Sequence, residues 1–149
     1  MQQIREDWFE GEQLIRAAGD GNLAEVQRLH AEGIDVNLLD ELSKAALHYA
    51  AEGGHYKVAQ WLLQNGAVPD LHDQEMIGET PLNLAVRKDY PEMVELLLRS
   101  GADPDIAGWM GFTARIRAQQ RRDENGASIA ALVEKYRPSP RKSAGRRKQ

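Results

Sequence analysis

The stretch LNLAVRKDYPEMVELLLRSGADPD, residues 82–105, has the pattern of two short helices followed by a loop. Pro91 has no backbone N–H to lose at the first position of a helix, and it disfavours the helical region for Tyr90, so a second helix is predicted to begin there. Gly101 is predicted to end that helix, because glycine readily adopts the positive φ found at many helix C-termini. The stretch therefore predicts a helix–turn–helix unit.

The same unit occurs twice more along the chain. LIRAAGDGNLAEVQRLHAEGIDVN begins at Leu14, and LHYAAEGGHYKVAQWLLQNGAVPD begins at Leu47. The closing glycines lie 33 residues apart from Gly33 to Gly66 and 35 apart from Gly66 to Gly101, so the period is 33 with a two-residue insertion in the loop LHDQEMIGETP. A single helix pair cannot bury its apolar faces alone, and repeated pairs at this spacing predict a stacked solenoid.

The repeats resemble the ankyrin family, whose unit carries a Thr-Pro-Leu-His-x-Ala signature. The matching stretches are TPLNLA at 80–85, AALHYA at 45–50 and a degraded TARIRA at 113–118. The resemblance covers about residues 12–136 in four repeats. It implies an all-α ankyrin-repeat solenoid with antiparallel hairpin loops, called fingers, that project between repeats and line a concave face with the first helices. It also implies binding of other proteins and no catalysis.

Two repeats depart from the signature at a paired position. In the family the signature threonine and histidine usually hydrogen-bond each other, whereas here His48 is combined with Ala45, and Thr80 is combined with Asn83. Two outcomes are open: looser local turns, or Asn83 acting in place of the histidine.

The period divides the chain into four units and a tail. The units span about residues 8–39, 40–72, 73–107 and 108–136, and the tail spans 137–149. The end units have the polar character expected of caps that face water.

Specific residues mark these two caps. In the fourth unit, Arg115 replaces the signature leucine, the first helix is polar and the connection between its helices is longer. In the first unit, the segment between Gly11 and Gly33 holds both helices, with Glu12 and Gln13 in place of the signature.

Composition excludes several chemistries. The chain has no cysteine, which removes thiolate nucleophiles, Cys-ligated zinc and iron–sulfur clusters. Of the histidines at 30, 48, 55 and 72, only His48 and His55 are close in sequence, and the helix break at 53–54 separates them, so no metal site is predicted. No phosphate-binding, nucleophile-elbow or zinc-protease motif occurs. We expect no enzyme activity, no cofactor and no small-molecule substrate.

The N-terminus, MQQIREDWFEGEQ, is acidic and polar, unlike a signal peptide, and no later stretch approaches eighteen consecutive apolar residues. We therefore expect a soluble, cytoplasmic monomer without a membrane span.

The tail, RPSPRKSAGRRKQ, concentrates positive charge at one end of an acidic chain. It holds six of the 19 Lys and Arg residues and none of the 23 acidic ones, so residues 1–136 carry a formal charge of −10. This acidic balance disfavours nucleic-acid binding by the folded part. The tail is predicted to be disordered, as a solubilising end or as a nuclear-import or phosphate-binding patch. An alternative function follows, in which the tail and Arg115, Arg117, Arg121 and Arg122 bind nucleic acid or anionic lipid.

Apolar residues recur at the predicted finger tips. The first finger contains Glu41, Leu42 and Lys44, the second Met76, Ile77 and Glu79, and the third Trp109, Met110 and Phe112. The period also places Trp8 and Phe9 just before the first unit. A row of exposed apolar side chains at the repeat spacing would form a strip typical of a binding site. The alternative is that the aromatic residues fold inward as lids on the end units.

First-helix positions on the same side complete the predicted site. They are Tyr49, Glu52, Arg87, Lys88, Arg117, Gln120 and Arg121. Their charge changes from mixed to basic along the chain, which would match a protein partner with apolar anchors and an acidic edge. Solvated helix ends are the simpler explanation. The sequence thus favours a protein-binding module that acts as an adaptor or as an inhibitor or immunity-type protein.

Overall fold

Across residues 2–73 and 78–136, which the computed structural model describes, the chain forms eight α-helices and no strand. The helices are α1 (Gln2–Gly19), α2 (Leu23–Ala31), α3 (Ala46–Gly53), α4 (Tyr56–Gln64), α5 (Pro81–Val86), α6 (Pro91–Arg99), α7 (Ala114–Gln120) and α8 (Gly126–Lys135), with a 3₁₀ turn at Trp109–Gly111. The predicted all-α repeat solenoid is confirmed.

The helices stack in two layers. The first helices of the units, α1, α3, α5 and α7, pack side by side in one layer, and α2, α4, α6 and α8 form the second layer behind them. Each first helix also packs on the second helix of its own unit. This is the nearest-neighbour arrangement of a repeat solenoid.

Small residues at the repeat spacing bring the first helices together. Ala17, Ala50, Ala85 and Ala118 are all buried at equivalent positions, and their small side chains allow neighbouring backbones to approach closely. Behind them the second helices contribute larger apolar residues. The largest fully buried of these are Val26, Leu29, Val58, Leu62, Met93, Val94, Leu97 and Ile129, and they belong to one continuous core.

The helix ends follow the predicted turn chemistry. Gly33, Gly66 and Gly101 follow the second helices with φ of 95°, 96° and 97°. An added Cβ at any of the three would meet no atom within 4 Å, so glycine is needed there for its backbone conformation alone. α6 begins at Pro91 with Tyr90 in a non-helical conformation, as predicted.

The first helix differs from the prediction. α1 begins at Gln2, so Trp8 and Phe9 lie within a helix and not in a finger, and Gly11 lies inside the same helix. Glutamine, glutamate and arginine favour helix in this segment, and no proline interrupts it. Gly11 is buried against Leu38, whose Cδ1 would lie 2.6 Å from an added Cβ, so close packing accounts for a glycine at this helical position. Phe9 is 58% exposed, so it does not act as a buried lid, and the side chain of Trp8 lies outside the described part of the chain.

The fourth unit has the polar first helix and the longer connection that the sequence predicts. Residues 121–125 separate α7 from α8, whereas the earlier pairs are joined by shorter segments. The four unit boundaries stay predictions, and the basic tail at 137–149 lies outside the described residues.

Candidate functional site

Three loops precede the first helices of units two to four, and we call them finger 1 (residues 40–44), finger 2 (73–79) and finger 3 (108–112). Finger 1 is closed by Asp40 N, which donates to Lys44 O at 2.9 Å, and finger 3 by Gly108 N, which donates to Phe112 O at 2.9 Å. No strand ladder occurs in the described parts of these loops, and fingers 1 and 3 are short hairpin-like turns.

The tips of fingers 1 and 3 expose large apolar side chains. Leu42 is 70% exposed, Trp109 61% and Met110 67%. Trp109 therefore does not form the buried lid considered as an alternative for it. Met76 and Ile77, the predicted tip of finger 2, lie outside the described residues.

Asp40 organises finger 1. Its Oδ1 accepts hydrogen bonds from Leu42 N at 2.9 Å and from Lys44 N at 3.0 Å, and its Oδ2 accepts one from the hydroxyl of Tyr49 on α3. The pKa of Tyr49 is raised, first because burial disfavours the phenolate and then because the hydroxyl donates to Asp40. One carboxylate thus holds the turn together and attaches it to the adjacent helix.

Lys44 also lies along the base of finger 1. Its Nζ is 3.4 Å from Glu52 Oε2 and 5.4 Å from the centre of the Tyr49 ring. The predicted site residues Lys44, Tyr49 and Glu52 are therefore brought together, mainly in contacts with one another.

Glu79 and Arg117 form the base shared by fingers 2 and 3. Arg117 on α7 donates from Nη2 to Glu79 Oε1 at 2.7 Å, and its guanidinium carbon lies 5.5 Å from the centre of the Phe112 ring. Both charged side chains are largely buried, at 12% and 17% exposure. The carboxylate of Glu79 fits beneath finger 3 because Gly108 has no side chain, and an added Cβ would lie 2.3 Å from Glu79 Oε2.

His48 connects the second unit to finger 2. Its Nδ1 accepts from Ala45 N at 3.0 Å, so Nε2 carries the proton and donates to Glu79 O at 2.8 Å. Burial lowers the pKa of His48 to about 4, which keeps the ring neutral. The imidazole thus accepts a hydrogen bond from the backbone N–H of Ala45, the N-cap residue of α3. The side chain of Ala45 has no oxygen that could cap this helix itself.

The third unit resolves the open question about Asn83. Thr80 caps α5 by accepting from Asn83 N at 3.1 Å, and Asn83 Nδ2 lies 3.4 Å from Ile106 O in the next loop. Asn83 therefore reaches the loop before finger 3, as His48 reaches finger 2. Thr80 caps α5, whereas α3 has no side-chain cap at Ala45 and keeps only the contact between Ala45 N and His48 Nδ1.

Arg121 anchors the fourth unit to the third. It donates from Nη1 to Val86 O and Lys88 O, both at 2.7 Å, and from Nη2 to the carboxylates of Asp89 and Asp123. This predicted site residue therefore caps the C-terminal end of α5, where carbonyl groups lack helical partners.

Arg87 and Lys88, at the end of α5, are exposed, and neither side chain has a partner among the described residues. They are the predicted site cations that remain available on this side of the molecule. Arg122 is likewise exposed and without a side-chain partner in the described ranges.

The arginines invoked for an anionic ligand are mostly engaged. Arg115 Nε lies 2.7 Å from Asp105 Oδ1, and its Nη1 lies 2.8 Å from Glu134 Oε1. With Arg117 and Arg121 also paired to carboxylates, α7 does not present a continuous basic surface.

Sequence reasoning missed Asp40, the Glu79–Arg117 pair and the backbone of Met110, whose φ is 59°. Asp40 carried a local signal, because an aspartate two residues before an exposed tip favours side chain to backbone hydrogen bonds. Glu79 and Arg117 are 38 residues apart, and no local sequence pattern indicates that they pair.

The described part of the chain contains neither a cluster of metal-ligating side chains nor a helix fit to span a membrane. No group of three or more His, Cys, Asp or Glu residues there could hold a metal ion. None of its helices has the length and apolar composition needed to cross a bilayer.

In a comparison with known proteins, residues 14–107 match the family model for ankyrin repeats (three copies). The chain is 37% identical over 99 residues to the BTB/POZ domain and ankyrin repeat-containing protein NPR5 of Oryza sativa subsp. japonica, 34% over 98 residues to palmitoyltransferase Hip14 of Drosophila melanogaster, and 30% over 125 residues to diacylglycerol kinase zeta of Rattus norvegicus. These alignments cover 66%, 66% and 84% of this chain, but only 19%, 15% and 13% of the relatives. The chain thus spans less than a fifth of the length of these relatives.

Proposed function

Because the chain belongs to the ankyrin repeat family, we propose that it is a non-catalytic module that holds a protein partner on its finger tips and concave face. The concave face comprises α3, α7 and the residues Arg87 and Lys88 at the end of α5, next to the fingers. Ankyrin repeats are generally protein-interaction modules, and the relatives named above share only part of their length with this chain.

The observation that carries the proposal is the exposure of Leu42, Trp109 and Met110 at equivalent tips, above bases held by polar contacts. Large apolar side chains that repeat along one edge are typical of interaction sites. Tryptophan is frequent among residues that dominate binding energy, and methionine adapts to irregular partner surfaces. Fixed finger bases would reduce the conformational entropy lost on binding.

The test is a pull-down from lysate of the native cell with the wild-type chain and Leu42→Lys/Met110→Lys. Val68→Lys is the matched control, because Val68 is an apolar residue that is 46% exposed and lies outside the fingers. Circular dichroism first establishes that all three proteins are folded. We expect a protein that the wild type and Val68→Lys retain and the finger variant loses; retention of the same proteins by all three would contradict the finger site.

Two mechanisms follow from this one binding event. As an adaptor the protein would recruit a partner and would use a second surface, for which the tail at 137–149 is the candidate. As an inhibitor or immunity-type protein it would cover the partner's active site. Deletion of 137–149 separates these mechanisms, because occlusion would survive it and recruitment through the tail would not.

The same deletion tests the competing hypothesis of an anionic ligand. Binding of nucleic acid or anionic lipid through the tail would weaken steeply with added salt and fail without residues 137–149. Binding through apolar tips would depend on salt much less.

A further inference from the structure

Finger 3 ends in a turn whose conformation is unusual for its sequence. Met110 has φ 59° and ψ 19°, Gly111 has φ 76°, and Phe112 N donates to Trp109 O at 3.3 Å. These are the features of a type I′ turn, which requires positive φ at both central residues and strongly prefers Asn-Gly or Gly-Gly. A methionine at the first central position is strained, because its Cβ crowds the backbone in the left-handed region.

Burial of the Met110 side chain compensates little for this strain. The Met110 side chain is mostly exposed and therefore buries little apolar area within the chain. Finger 1 offers an internal comparison, because Ser43 also has a positive φ, of 58°, but its Oγ donates to Asp73 Oδ2 at 2.9 Å. The unfavourable conformation of Ser43 thus accompanies a side-chain contact between fingers, whereas the side chain of Met110 is mostly exposed.

Two cations at the end of α5 are exposed although the chain as a whole is acidic. The carboxylates of Glu79, Asp89 and Asp123 are all paired with arginines of α7 or the residue after it. Arg87 and Lys88 are exposed without such partners, so they are two available cations on a chain whose net charge is −4.

α7 connects this charge to the finger. Arg117 on α7 contacts Phe112 at the end of finger 3, and Arg121, about one helical turn or ~6 Å further along the chain, contacts the carbonyl of Lys88. Arg117 and Arg121 thus connect finger 3 to the segment that carries the two exposed cations.

We propose that Met110 and Trp109 are the apolar anchors for an acidic protein segment, whose carboxylates meet Arg87 and Lys88. This inference rests on the proposed function and adds the chemistry of the partner and the residue that is retained for binding at the expense of stability. Complementary charge beside an apolar anchor is a common basis of specificity at protein interfaces.

The experiment selects binders to the immobilised full chain from a library of random peptides and measures the affinity of the enriched peptides for defined variants. Met110→Asn replaces the strained residue by the one that this turn prefers, and Arg87→Gln/Lys88→Gln removes the free cations. Lys57→Gln/Arg99→Gln is the matched control, because both residues are exposed cations on the second-helix layer. Thermal unfolding is measured for every variant.

We expect enriched peptides that carry aspartate or glutamate beside a large apolar residue. Met110→Asn should weaken their binding by about tenfold or more while raising the unfolding midpoint by about 2 °C. Arg87→Gln/Lys88→Gln should weaken binding and reduce its salt dependence, and the control should do neither.

The outcomes separate this inference from the proposed function. Peptides that depend on Leu42 and Met110 but are not acidic, or that ignore Arg87→Gln/Lys88→Gln, would overturn the acidic partner and leave the finger site intact. Unchanged binding by a more stable Met110→Asn variant would overturn the role of Met110. A selection that yields no peptide dependent on Leu42 and Met110 would count against both proposals.

Discussion

His48 contacts both the N-terminus of its own helix and the next finger, although its unit lacks the signature threonine. It is fully buried, and it accepts from Ala45 N while donating to Glu79 O in the next finger. The same Glu79 pairs with Arg117, so contacts run from α3 through finger 2 to finger 3. A protonated ring could not accept from Ala45 N, which makes these contacts dependent on the neutral state.

Stability should therefore depend on pH through His48. Its pKa is lowered from 6.5 to about 4, chiefly by burial, so below pH 6.5 the unfolded chain binds a proton that the native state does not. The stabilisation is complete above pH 6.5 and is lost as pH falls towards 4; between pH 7 and pH 5 the loss is about 2 kcal/mol. Urea unfolding of wild type and His48→Gln at both pH values measures it. The variant should be less stable at pH 7 but change less with pH, and parallel pH profiles would contradict the assignment.

At the scale of elements, α7 is held to the solenoid by arginines as much as by apolar packing. Only Ala114 and Ala118 of α7 are buried, whereas all six residues of α5 are. The side chain of Arg121 is 11% exposed and satisfies two carbonyls at the end of α5. Buried carbonyls that lose such a donor are left without a partner, which is destabilising.

Arg121→Gln should accordingly loosen the fourth unit. We expect a loss of about 1–3 kcal/mol in the stability of α7 and α8, with little change in α3 and α4, because repeats contact only their neighbours. Amide hydrogen exchange read helix by helix measures this. Arg122→Gln is the control, since the adjacent side chain is exposed without a partner in the described structure; equal effects of the two substitutions would show that Arg121 is not an anchor.

At the scale of the whole molecule, the stacked units share one continuous core. Each unit depends on its neighbours to bury its apolar faces. An interior unit forms two interfaces with neighbouring units, and an end unit forms only one. Leu62 in α4 and Ile129 in α8 are both fully buried and provide equivalent probes of the middle and the end.

Leu62→Ala and Ile129→Ala should therefore have different consequences for comparable lost volume. We expect each substitution to leave a cavity and to lower the free energy of unfolding by about 3 kcal/mol. In α4 we expect the urea transition of the whole chain to move to lower denaturant, whereas in α8 the fourth unit should unfold first and the rest later. Circular dichroism combined with hydrogen exchange distinguishes the two patterns, and a single shared transition for Ile129→Ala would show that the end unit is fully coupled.

Much of the fold was predictable because it depends on local sequence patterns. The spacing of Gly33, Gly66 and Gly101 and the position of Pro91 determine where helices end and begin through backbone sterics alone. The extension of α1 to Gln2 was missed because the repeat period placed Trp8 and Phe9 just before the first unit, while helix propensity and the packing of Gly11 on Leu38 favoured a helix. The exposure of Leu42, Trp109 and Met110 was predictable from the same period.

The sequence by itself thus determined the repeat, the two-layer solenoid and the apolar character of the finger tips, because these depend on periodicity and on turn chemistry within a few residues. Only the tertiary structure decided which charged residues are engaged and which are available. Glu79 pairs with Arg117 and Arg121 reaches Lys88, whereas Arg87 remains exposed. The physical reason is that such pairs join residues more than 30 positions apart, and stacking of the repeats sets the distances between them.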